Sequence, residues 1–107
     1  MTAARVVFVT APAGETADAI ARDLIEKRLA ACVNVVRGVS SVYRWKGNVE
    51  SDTEDLLVVK TSADSLDALE QRIKEIHPYS LPEFIVLPVV SGSRDYLDWV
   101  MSETRKS

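Results

Sequence analysis

Apolar residues along the 107-residue chain change their spacing several times, and each change marks an element. Val6-Val7-Phe8-Val9, within Arg5 to Thr10, is an unbroken β-branched and aromatic run that predicts a strand buried on both faces. Pro12 and Gly14 stop it. From Glu15 the period becomes 3.6. Ala17, Ile20, Ala21, Leu24, Ile25 and Leu29 share one side, which predicts an amphipathic helix to about Ala30. Glu15 and Asp18 sit at its positive end, and Lys27 and Arg28 at its negative end. Cys32 to Trp45 is rich in Val, Tyr and Trp and reads as a long strand, with Gly38 marking a bulge or bend. Lys46-Gly47-Asn48 turns the chain into a hairpin. The return strand runs from Val49 to Lys60, acidic from Glu50 to Asp55 and then apolar on both faces.

Ser62 or Asp64 is positioned to cap a second helix, whose stripe is Leu66, Leu69, Ile73 and Ile76. Phe84 to Leu87 follows as a strand, and Pro88 confines it to an edge or ends its pairing. After Ser91-Gly92-Ser93 a last helix carries Tyr96, Leu97, Val100 and Met101, with Arg105 and Lys106 at its negative end. The βαββαβ order predicts an α+β, ferredoxin-like plan: a four-stranded antiparallel sheet, two helices on one face, a long hairpin joining the second and third strands and an extra C-terminal helix. Residues 1–107 form one domain on this reading, with the two most apolar strands at the centre. Two helices cover one sheet face only, so the apolar second face and the protruding hairpin predict a homo-oligomer that packs sheet on sheet and pairs edges.

Composition narrows the function. Net charge is −3 with a pI of about 5.1, which argues against nucleic acid as a partner. Cys32 is the one cysteine and forms no internal disulfide, and no apolar run is long enough for a membrane span, so a cytoplasmic protein is expected. Candidate chemistry collects in Ile76-His77-Pro78-Tyr79-Ser80-Leu81-Pro82-Glu83, which holds the only histidine and two of the four prolines. Pro78 and Pro82 lack amide donors, so the segment is a stiff connector between helix and strand.

Several separated pieces resemble one family. They are Thr10-Ala11-Pro12, Glu26 to Asn34, Gly38 to Ser41, Tyr43 with Trp45-Lys46-Gly47, Lys60-Thr61, His77-Pro78-Tyr79 with Pro82-Glu83, Leu87-Pro88-Val89, and Tyr96-Leu97 with Trp99. In this order they resemble the CutA1 divalent-cation tolerance family. The resemblance implies a ferredoxin-like fold assembled as a homotrimer, a cytoplasmic protein associated with copper and other divalent-metal tolerance, and a shape similar to PII signalling proteins. It implies no catalytic reaction. Where some members carry a further Cys or His, this chain has Val9 and Ile76.

Each candidate has a plainer reading beside it. His77 is a metal candidate, assisted by Glu83, or else the end of a helix held by local hydrogen bonds. Cys32 is a soft ligand for copper or a small buried apolar residue. Tyr43, Trp45 and Tyr79 can line a cleft between subunits with Lys60 and Glu83 as its polar groups, or simply pack an interface. Lys60 holds an anion or pairs with Glu83. Three functions follow: weak, non-enzymatic binding of Cu(II) or another divalent cation without an organic cofactor; a PII-like module binding a small anion between subunits; or a ligand-free scaffold.

Overall fold

A computed structural model describes residues 1–105, so the expectation for Lys106 lies outside the described residues. The elements are β1 Ala4–Pro12, α1 Glu15–Glu26, β2 Cys32–Trp45, β3 Asn48–Ser62, a 3-10 turn Ala63–Ser65, α2 Leu66–Ile76, β4 Ile85–Pro88 and α3 Arg94–Glu103. The strands form one antiparallel sheet in the order β2-β3-β1-β4, which puts β1 and β3 at the centre.

Strand alternation builds the core. Val7, Val9 and Ala11 of β1 and Leu57 and Val59 of β3 are fully buried against Ala17, Ile20 and Leu24 of α1 and Leu69 and Ile73 of α2. Each large side chain removed from water this way contributes about 1.5–3 kcal/mol. Within one chain the central strands are buried on one face only. Val6, Phe8, Leu56 and Val58 point to the opposite face and are only partly buried, because the first two helices cover one side. Ile25 is exposed although it lies near the apolar stripe of α1.

Several boundaries also move. Pro12 stays within β1 at the sheet end, opposite Glu54, where its missing amide costs no central pairing. α1 stops at Glu26 instead of Ala30 because Arg28 adopts a left-handed backbone, φ 58°. The Arg28 amide donates to Ile25 and the Leu29 amide to Leu24, closing a Schellman turn without glycine. The Arg28 guanidinium then reaches the carbonyls of Ser102, 3.1 Å, and Arg105, 3.3 Å, and supplies the cation at the carboxyl end of α3. Neither Ser62 nor Asp64 caps α2; the 3-10 turn leads into it, and the Ser62 and Ser65 hydroxyls bond to each other. Phe84 precedes β4, and Pro88 is its last residue on the sheet edge. Arg72 spans the helix pair with two bonds to Asp23, 2.8 and 2.7 Å.

The β2-β3 hairpin forms an arm that stretches the molecule to 44 Å. Its tip is a two-residue turn with positive φ at both Lys46 and Gly47, the twist that antiparallel strands prefer. At its base, the register passes from Val36↔Leu56 to Val39↔Glu54, so Arg37 and Gly38 together oppose Asp55. Gly38 takes φ 69° there. An acidic run must be solvated or paired, and Asp55, fully buried, is paired. Its Oδ1 accepts the Gly38 amide at 3.0 Å. Its Oδ2 accepts the Gly14 amide at 2.9 Å and Arg37 Nη1 at 2.7 Å. Arg37 continues to Asp18 of α1 at 2.6 Å.

The Gly14 and Gly38 amides, followed by Arg37, hold the Asp55 carboxyl below the usual carboxylate range in spite of burial. A lowered native value means that this stability is present in full above the unfolded pKa, about 3.9, and disappears as pH falls through the native one. We therefore expect Asp55→Asn to lower Tm by about 5 °C or more at pH 7. The gap from wild type should shrink in melts at progressively lower pH below 4. An equal gap at pH 7 and pH 2.5 would contradict this account.

Candidate functional site

The connector after α2 is built around His77. Its amide closes the helix on Ile73 at 2.9 Å, and its ring is buried. Nε2 lies 2.8 Å from the Thr10 carbonyl, and Nδ1 accepts the Tyr79 amide at 3.1 Å. A carbonyl can only accept, so Nε2 carries the proton and the imidazole is neutral. Both nitrogens are thereby occupied, one anchoring the connector to β1 and the other folding it back on itself. The Tyr79 ring packs against the imidazole with centroids 4.7 Å apart. Its hydroxyl donates to Glu54 Oε2 at 2.9 Å. A chain of contacts thus runs from β1 through His77 and Tyr79 to β3.

The connector and the hairpin arm enclose a cleft of about 800 Å³. Tyr43 and Trp45 of β2 form its aromatic wall, and Tyr79, Leu81 and Pro82 face them. Asp52, Glu54 and Glu83 are its ionisable carboxyls, and no Lys or Arg is among its lining residues. The bulge at Gly38 makes this wall possible. It puts Val39, Ser41, Tyr43 and Trp45 opposite Glu54, Asp52, Glu50 and Asn48 respectively, so the aromatics and the acids share a face.

The cleft's electrostatics follow from that acid excess. The Tyr43 hydroxyl donates to Asp52, which with desolvation pushes its pKa up to about 12. Burial and the bond to Glu54 push Tyr79 up to about 12 as well. Both phenols therefore stay protonated donors at neutral pH. Burial, and then the charge of Glu54, raise the Glu83 carboxyl. The site accepts positive charge and, within one chain, offers an anion no cationic partner.

Lys60 and Cys32 lie elsewhere. They are register partners at the other end of the sheet, with Lys60 Nζ 3.9 Å from the Cys32 thiol and the Tyr96 hydroxyl of α3 nearby. Lys60 and Glu54 are six positions apart along β3, about 20 Å of extended strand. Lys60 of the same chain is therefore not part of this cleft, and no ion pair between Lys60 and Glu83 forms within one chain. His77, Glu83 and Cys32 do not converge either, and no group of three or more His, Cys, Asp or Glu is placed to hold a metal among the described residues. Asp52 and Glu54 join the site although they read as part of a solvated acidic arm. Their alternate spacing with Leu56 and Val58 was the available signal that they share one face.

Residues 5–103 match the family model described as "CutA1 divalent ion tolerance protein". A Thermus thermophilus relative called divalent-cation tolerance protein CutA is 50% identical over 99 residues, covering 92% of this chain and 96% of that one. Protein CutA 1, chloroplastic, from Oryza sativa is 46% identical over 102 residues, covering 95% of this chain and 58% of that longer relative. The solved Thermus thermophilus divalent cation tolerance protein superposes with a TM-score of 0.93 at 48% identity, covering 95% of this chain and 99% of that one.

His77→Ala removes the partners of a buried carbonyl and an amide in one step. It is expected to cost about 1–3 kcal/mol in urea unfolding, with the connector freed first. A change below about 0.5 kcal/mol, the range of ordinary surface substitutions, would show that the ring does not hold the cleft together.

Proposed function

The chain belongs to the CutA1 divalent ion tolerance protein family, and on that premise we propose that it acts in divalent-cation tolerance as a single-domain, ferredoxin-like homotrimer of the cytoplasm that catalyses no reaction. Its contact with metal is weak and centres on Glu83, the cleft carboxylate without a phenol partner, because no three acids among the described residues are placed to share one ion. The observation that carries this reading is the aromatic-walled cleft lined by Asp52, Glu54 and Glu83 without a basic residue. Such oxygen donors take Cu(II) or another divalent cation, and fewer than four fixed donors keep the affinity low. His77 positions the connector, since both of its nitrogens are engaged within the chain. Cys32 stands at the far end of the sheet and takes no part in this cleft. A free thiol suits a reducing compartment.

The PII-like reading needs a cation in the cleft to hold an anionic ligand. Lys60 of the same chain lies about 20 Å away along the strand, so that cation would have to come from a neighbouring subunit. The ligand-free scaffold predicts no saturable binding at all.

Calorimetric titration of the full chain with Cu(II) separates these readings. We expect saturable binding weaker than about 10⁻⁴ M, as for solvent-open carboxylate sites. Glu83→Gln should reduce it severalfold, and folded His77→Ala should leave it unchanged. Loss of binding in His77→Ala with none in Glu83→Gln would overturn the assignment.

A further inference from the structure

The sheet face turned away from α1 and α2 has an unusual distribution of charge. Strand register identifies its side chains. Val6, Phe8, Leu56, Val58, Ile85 and Leu87 form an apolar centre. Ile85 is 50% and Leu87 37% exposed, so this centre is open in the single chain. Every charged side chain on the strand positions of this face comes from β3. Lys60 stands at one end, and Glu50, Asp52 and Glu54 stand at the other. Among the described residues none of the four makes an ion pair. About 20 Å of strand keeps Lys60 from satisfying Glu54 within its own chain.

We propose that the missing counter-charge is supplied by a second copy of this chain: Lys60 of one subunit pairs with the Asp52 and Glu54 end of the neighbour's sheet face. The apolar centres cover one another in the same contact. In a three-membered ring each subunit offers its basic end to one neighbour and its acidic end to the other, a head-to-tail arrangement. The cleft is then completed across the subunit boundary. A resident ammonium also keeps the affinity of these carboxylates for divalent cations low. This inference rests on the homotrimer proposed above.

Sedimentation velocity over a dilution series, with circular dichroism to verify folding, tests the pairing on the full chain. Lys60→Glu is expected to raise the concentration at which the assembly dissociates by about tenfold or more. Adding Asp52→Lys or Glu54→Lys should recover at least part of that loss. Because the two sites are too far apart to meet within a chain, recovery reports a contact between copies. Asp52→Lys keeps the test open if Glu54→Lys, at a buried position, fails to fold. An intact assembly in Lys60→Glu, or a weakened one that neither second change recovers, would overturn the pairing while leaving the trimer standing. A wild-type chain that is monomeric throughout would remove the trimer itself. Saturable binding of tetramethylammonium by the intact assembly would also overturn the pairing, because it would mean that the cleft remains open.

Discussion

One buried carboxylate fixes the geometry on which the site depends. Asp55 accepts two backbone amides and a guanidinium, all from segments distant from it in sequence. The Gly14 amide belongs to the entry of α1, and Arg37 and Gly38 form the bulge of β2. A single side chain therefore ties the start of a helix to the point where the arm leaves the sheet. A buried carboxylate in an apolar core is costly unless its oxygens are satisfied, and here three donors satisfy them. The bulge in turn changes which β2 side chains face the acids of β3. Without that shift, Tyr43 and Trp45 would fall on the opposite face, because one residue of slip reverses every side chain.

The second fixed point is His77, which uses its whole hydrogen-bonding capacity to pin the connector to Thr10 and Tyr79. Tyr79 passes that restraint to Glu54. The wall opposite the arm is thus held by polar bonds more than by apolar burial; Tyr79 and Leu81 remain exposed. Asp55 aims one wall and His77 holds the other. Between them lie carboxylates and phenols without a basic group, so the chemistry of the space favours cations, whether a metal ion or the ammonium of a neighbour.

The sequence exposed much of this plan and concealed the rest for physical reasons. Period-2 and period-3.6 spacing located the strands and helices, and Gly38 and Gly47 identified the bulge and the turn. The end of α1 was misplaced because Arg28 takes a conformation that glycine normally signals. Asp55 was hidden inside an acidic run that looks uniformly solvated; its burial depends on partners 17 to 41 residues away. His77, just before Pro78, and Tyr79, between Pro78 and Pro82, stood out from their setting in a proline-stiffened connector. The Nδ1 lone pair is taken by the Tyr79 amide, and the Nε2 proton is fixed by the Thr10 carbonyl, which only the tertiary structure brings near. Lys60 and Glu83 meet only if subunits bring them together, because about 20 Å of strand separates Lys60 from the cleft within one chain.

The cleft keeps its shape only while the Asp55 knot is closed in solution. Amide hydrogen exchange of the full chain, read at single residues, tests that closure most directly. The Gly14 and Gly38 amides should exchange only on global opening, with protection close to that of Val59 in the core strand. Exchange of Gly38 as fast as that of Gly47, at the exposed tip of the hairpin, would mean that the carboxylate does not hold the bulge.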